Sequence, residues 1–134
     1  MCLIRKAGVF GFLLVLLSAT SVVAEEAEYR AAIFWEPSMP VVGAATPPET
    51  FEQVFKEQDI PSTRLNADQV CDPAAFNADL YDLLVVPMGA SYPAAGKAAL
   101  VAFLKRGGDL FCTGGYSFDA LFVKQDGKWV PQEE

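Results

Sequence analysis

The chain has 134 residues, a formal net charge of −7 and 52% hydrophobic residues, a composition typical of one globular domain rather than a disordered chain. An acidic surface repels nucleic-acid phosphates and anionic lipids, so nucleic-acid-binding and membrane-surface functions are disfavoured. Histidine is absent and cysteine occurs only three times, so the common zinc-site patterns are not available.

The first 24 residues have the three parts of a secretory signal peptide. Arg5 and Lys6 supply positive charge, residues 9–17 are apolar, and small residues lead up to Ala24. The apolar run is shorter than the roughly 18 residues that a membrane span requires. We therefore predict cleavage after Ala24, export to the periplasm or the extracellular space, and one domain at residues 25–134 without a membrane partner.

Strand and helix patterns alternate along this domain. Thr46, followed by two prolines and a glutamate, predicts a capped helix that buries Phe51, Val54 and Phe55. The predicted elements, in chain order, are a strand at 29–35, a helix from 47 that ends by 60, a strand at 62–65, a short helix at 72–76, a strand at 81–87, a helix at 93–106 and a strand at 109–113.

The second half of the domain indicates how the sheet is built. The strands at 81–87 and 109–113 are expected to be buried on both faces, as in a parallel sheet, and Leu100, Val101 and Leu104 to face the core. Residues 124–130 predict a turn with one exposed aromatic.

The alternation predicts a flavodoxin-like three-layer α/β sandwich with a parallel sheet that is incomplete at the C-terminal end. Four strands would leave one edge bare. Either another segment covers this edge or the sequence is the front part of a longer protein, and we favour the second interpretation.

Two segments carry a family resemblance. Residues 81–89 (YDLLVVPMG) and residues 100–115 (LVAFLKRGGDLFCTGG) resemble the class I glutamine amidotransferase-like superfamily. Within it they are most similar to the non-catalytic branch of secreted glycoside hydrolases, the beta-galactosidase trimerisation-type domain. The trehalose-utilisation-like branch is the second match. The resemblance implies an α/β fold and a role beside carbohydrate-active enzymes.

In catalytic members of the superfamily, a cysteine nucleophile stands at the sharp turn after the strand that follows the glycine pair. The resemblance places Gly114 at that position, with Gly115 and Tyr116 after it. Cys112 lies two residues earlier, and strand alternation predicts that it points into a packed face. A cysteine or serine nucleophile also needs a base, usually histidine, and the sequence has none. We therefore predict no catalytic residues, no metal and no cofactor.

The remaining site candidates are ligand-binding positions at the carboxyl ends of the strands, where open α/β sheets bind ligands. Glu36 follows the first strand, and a solvated loop acid is its simplest interpretation. Cys71 and Cys112 are predicted to be free thiols, because several strands were expected to separate them. The candidate ligand-binding residues are Glu36, Gly89, Gly114, Gly115 and Tyr116.

Three functions follow as hypotheses. The first is a non-catalytic accessory or assembly domain of an exported carbohydrate-active protein, which contacts a glycoside hydrolase domain or a second copy through a sheet edge. The second is a hydrolase of the amidotransferase-like superfamily whose other catalytic residues lie on further sequence. The third is a small secreted ligand-binding protein.

Overall fold

The computed structural model describes residues 28–133, and the predicted signal peptide at residues 1–24 lies outside the described residues. The elements are β1 (Ala31–Phe34), α1 (Pro48–Glu57), β2 (Ser62–Leu65), α2 (Ala67–Cys71), β3 (Leu83–Val86), β4 (Ser91–Pro93), α3 (Lys97–Lys105), β5 (Asp109–Cys112), β6 (Ala120–Gln125) and β7 (Lys128–Pro131). A parallel four-stranded sheet has the order β2-β1-β3-β5, and a second sheet has the order β4-β6-β7.

The predicted α/β fold with a parallel sheet is confirmed. Alternate residues of the central strands β1 and β3 face opposite sides of the sheet. One face packs against α2 and α3 in the hydrophobic core, where the rings of Phe76 and Phe103 lie 4.7 Å apart. The other face carries α1, which contacts β1 and β2. The strands thus lie between two helical layers, as in a flavodoxin-like sandwich.

The prediction for the start of α1 is wrong. The helix begins at Pro48 without a side-chain cap. The N–H of Thr46 instead donates to the carbonyl of Pro87 at 2.9 Å, which ties this segment to the end of β3. Phe51 and Phe55 are only partly buried and Val54 is 50% exposed, because α1 covers one side of its sheet face and leaves the other open.

The short second helix lies earlier than predicted. Asn66 caps α2 through a reciprocal pair of hydrogen bonds with Gln69, which satisfies the free N–H groups of the first turn. Asp72, the predicted cap, instead accepts a hydrogen bond from the N–H of Ala74 in a turn after the helix.

The inward face of α3 also differs from the prediction. Leu100 is buried, but Val101 and Leu104 are 41% and 39% exposed. Phe103 takes the central place, at 1% exposure. Pro93, the predicted helix start, is the last residue of β4 and precedes a short 3₁₀ turn.

The C-terminal segment is a β-hairpin rather than a turn. Strands β6 and β7 are antiparallel and meet at Asp126 and Gly127, both with positive φ, which is the geometry of a tight hairpin turn. Strand β6 also pairs in parallel with β4, and Phe122 is buried. The hairpin therefore packs against the core, and Trp129 is partly buried rather than exposed.

The prediction that β5 is buried on both faces is wrong for the face that carries Asp109 and Phe111. Strand β5 is the last strand in the sheet order, and Phe111 is 50% exposed. Cys112 and Leu110, on the opposite face, pack against the core.

Candidate functional site

The carboxyl ends of β3 and β5 are covered by the loop between β1 and α1. Val42 forms an isolated parallel bridge with Gly89, and its carbonyl accepts the N–H of Ala90 at 2.8 Å. Two residues later the N–H of Ala44 donates to the carbonyl of Gly114 at 3.0 Å. The backbone of this loop therefore fills the place where open α/β sheets usually bind ligands.

Only glycine fits at Gly114. Its φ is +88°, which penalises a Cβ atom, and a Cβ built there would lie 1.7 Å from the carbonyl oxygen of Ala44. Gly89 is similarly constrained, since a Cβ would lie 2.3 Å from the carbonyl oxygen of Val42. The space beside Gly114 is filled by backbone, so no side chain can stand there without displacement of the loop.

The structure brings Gly89 and Gly114 together, since a Cβ built on Gly114 would lie 3.3 Å from the Cα of Gly89. A Cβ on Gly115 would meet only the backbone nitrogen of Ala90, at 3.9 Å. Tyr116 extends from this turn into solvent and is 87% exposed. Its carbonyl accepts the N–H of Asp119 at 3.2 Å, which closes the turn before β6.

Glu36 stands apart from these glycines and has structural partners. Its carboxylate accepts hydrogen bonds from the hydroxyl and N–H of Ser38 and, at 3.3 Å, from the N–H of Ala67 at the start of α2. Burial alone would raise the pKa of Glu36, but these hydrogen bonds and the charge of Lys124 lower it overall. Glu36 is therefore an ionised organiser of its loop rather than a general acid.

Ser38 and Trp129 were missed by sequence reasoning. The indole N–H of Trp129 donates to the Ser38 hydroxyl oxygen at 3.0 Å, across 91 residues of sequence. Lys124 lies 5.4 Å from the Trp129 ring centre, in a cation–π arrangement. A contact at this sequence separation leaves no local signal, although the Asp126-Gly127 pair could have indicated the hairpin.

Cys71 and Cys112 pack against the same core cluster, and both are free thiols in the structure. Burial raises the pKa of the Cys71 thiol, and the charge of Asp68 adds to this effect. A raised thiol pKa lowers the thiolate fraction, so Cys71 is a poor nucleophile. The side chain of Cys112 points away from the loop that covers the strand ends, toward the core.

Tyr92 lies in the centre of that core. Its ring packs edge-on against Phe34 and Phe118, with ring centres 5.3 and 5.0 Å away. The residue is 1% exposed, and its hydroxyl has no hydrogen-bond partner within residues 28–133. Burial, together with the nearby Cys71 and Cys112, raises the pKa of Tyr92 well above its ordinary value.

Comparison of the chain with protein-family models, with curated proteins and with solved structures found no match. Within residues 28–133, no group of three or more histidine, cysteine, aspartate or glutamate side chains could hold a metal ion. The helices of this part of the chain also lack the length and apolar character of a bilayer span.

An open apolar surface lies beside β5. A groove of about 580 Å³ runs between α1 and β5. Phe111 and Phe51 form part of it, with ring centres 6.2 Å apart. Tyr29 closes one end through a hydrogen bond from its hydroxyl to the carboxylate of Asp109 at 2.9 Å. Among the described residues, no strand pairs with the outer side of β5.

Proposed function

We propose that residues 25–134 form a non-catalytic accessory or assembly domain of an exported carbohydrate-active protein. The observation that carries the proposal is the position of the Ala44 carbonyl, 1.7 Å from where a Gly114 side chain would begin. The superfamily resemblance places the nucleophile at Gly114, and the loop excludes one there. The absence of histidine from the sequence supports the same conclusion.

The surface that assembly would use is the outer edge of β5. An unpaired strand presents N–H and C=O groups to a partner strand, and natural proteins usually protect such edges with charge, proline or a bulge. Asp109 is the only charged residue of β5, and it is already bonded to Tyr29. Antiparallel pairing of two copies centred on Phe111 would place each Asp109 opposite Thr113 of the other copy and avoid a like-charge pair.

Two measurements test the proposal. The first is hydrolysis of glutamine and of simple aryl esters by residues 25–134, for which we expect no turnover. Turnover that is lost in Cys112→Ser would contradict the proposal, because it would make Cys112 the nucleophile and favour the hydrolase alternative.

The second measurement is sedimentation of the same protein over a range of concentrations. We expect concentration-dependent self-association, and we expect Phe111→Asp to abolish it by placing charge at the edge. Val101→Asp is the matched control, since Val101 is similarly exposed but lies on α3. A protein that stays monomeric throughout would exclude the second copy as partner and leave a different domain, such as a glycoside hydrolase domain, as the occupant of the edge.

A further inference from the structure

The β6–β7 hairpin is held to the rest of the domain in two unequal ways. Strand β6 pairs with β4 over Ser91–Pro93 and buries Phe122. In the described residues, β7 pairs only with β6. The side-chain hydrogen bond that connects β7 to the loop after β1 is the one from Trp129 to Ser38. The hydrogen bond between Trp129 and Ser38 therefore helps to hold β7 in place, whereas β6 is held by its pairing with β4.

That contact depends in turn on the charge of Glu36. The Ser38 hydroxyl donates its only proton to the Glu36 carboxylate, which leaves its oxygen lone pairs free to accept the Trp129 indole N–H. An ionised carboxylate accepts such bonds more strongly than a neutral acid. Glu36 therefore fixes the orientation in which Ser38 can receive Trp129.

The groups around Glu36 come from three elements. From β6, Lys124 is the charged group that acts on Glu36, and it also lies against the Trp129 ring. From α2, the N–H of Ala67 donates to the carboxylate, and the acidic residue of the same turn, Asp68, is exposed. At the end of β3, the Met88 sulfur accepts the backbone N–H of Glu36. The charge of Lys124 and the hydrogen bond from Ala67 both favour the ionised form of Glu36.

We propose that Glu36 is an acid-sensitive latch that holds Trp129 and β7 against the loop after β1. When Glu36 is ionised, Ser38 accepts the indole and Lys124 is attracted to the same corner. When Glu36 is protonated, both attractions weaken, and Trp129 leaves the loop while β6 stays paired with β4. The latch does not depend on the assembly function proposed above.

The pH range follows from the direction of the pKa shift. The pKa of Glu36 is lowered below its ordinary value of 4.5 by the hydrogen bonds that hold it. A group whose pKa is lower in the folded state stabilises that state above its ordinary pKa and loses this effect as the pH falls through the folded pKa. Release of Trp129 is therefore expected below pH 4.5.

Tryptophan fluorescence of residues 25–134 tests the latch. The sequence has two tryptophans, so Trp35→Phe leaves Trp129 as the only indole. In this background we expect the Trp129 emission to shift to the red and acrylamide quenching to increase as the pH falls below 4.5. Far-UV circular dichroism is expected to change little over the same range. A fluorescence change that occurs only together with loss of the circular dichroism signal would overturn the proposal.

Two variants separate the latch from a general effect of acid. Glu36→Gln keeps the size of the side chain without its charge, so we expect red-shifted emission at pH 7 that no longer titrates. Ser38→Ala removes the acceptor and should expose the indole at pH 7 even though Glu36 is intact. Glu49→Gln is the control, because Glu49 is an exposed carboxylate whose pKa is also lowered, but by a hydrogen bond from its own backbone and by Arg64. Native emission and titration in both Glu36→Gln and Ser38→Ala would overturn the proposal.

Discussion

The carboxyl end of the sheet and the lateral edge at β5 differ in how completely they are filled. At the carboxyl end, backbone packs against backbone, and a Cβ on Gly114 would lie 1.7 Å from the Ala44 carbonyl oxygen. At the lateral edge, Phe111 is 50% exposed beside an open groove. The end where open α/β sheets usually bind ligands is thus filled by backbone, whereas the side of the sheet at β5 is open.

The opposite lateral edge shows that exposure at β5 is not a general property of the sheet. Strand β2 is polar, and its Arg64 forms ion pairs with Glu49 and Glu52 of α1. Each edge strand carries one charged side chain that is already bonded, Arg64 on β2 and Asp109 on β5. The edges differ because β5 exposes the apolar side chain of Phe111, whereas β2 exposes polar side chains. An exposed apolar edge strand favours pairing with a partner, and this difference supports the choice of β5 as the assembly surface.

Among the substitutions that test this comparison, the largest loss of stability is expected at Gly114. Gly114→Ala forces either the loop at Ala44 or the turn to move and adds the cost of φ +88° for a residue with a Cβ. We expect a loss of about 3 kcal/mol or more in the free energy of unfolding. Chemical denaturation measures it.

Gly107→Ala is the matched control for that experiment. Gly107 has a φ of +92°, but a Cβ there would meet nothing within 4 Å. Only the cost of the positive φ for a residue with a Cβ atom remains, so we expect the free energy of unfolding to fall by about 1 kcal/mol. Equal losses for the two variants would show that the loop does not fill the space at Gly114 in solution.

The sequence indicated the elements whose signals are local. The aliphatic run at Leu83–Val86 and the alternation of strands and helices predicted the parallel sheet, because buried parallel strands need apolar residues on both faces. The short helix was predicted at 72–76 from Asp72-Pro73, whereas the Asn66 capping box begins α2 at Ala67. The hairpin was missed although Asp126-Gly127 is a strong turn signal.

The site could not be predicted to the same extent, because it is made by contacts between distant segments. The glycine at Gly114 was recognised as a departure from the superfamily pattern, but nothing local shows that Ala44, 70 positions earlier, supplies the atom that requires it. The partners of Glu36 are equally remote, since Ala67 and Lys124 come from other elements. Fractional burial along α1 also depends on which part of the sheet face it covers.

At Tyr92, in the hydrophobic core, we expect a substitution to increase the free energy of unfolding by a smaller amount. The hydroxyl is buried and has no hydrogen-bond partner among the described residues, so the folded state does not recover the free energy of its lost hydration. Tyr92→Phe is therefore expected to raise the free energy of unfolding by about 1 kcal/mol. Tyr116→Phe is the control, because Tyr116 is 87% exposed and should change nothing. A less stable Tyr92→Phe protein would mean that the hydroxyl has a partner in solution.

The remaining prediction concerns the open edge, where Phe111→Ala should cost little in a dilute, monomeric sample. Half of the side chain is already in water, and its main aromatic contact is with Phe51 at 6.2 Å. We expect a loss of about 1 kcal/mol, against about 3–5 kcal/mol for the same truncation at Phe103, which is 1% exposed. Urea denaturation of the two variants at a concentration below self-association provides the measurement. If Phe111→Ala costs as much as Phe103→Ala, the groove beside β5 is covered in the monomer, and the contrast between a filled end and an open edge does not hold.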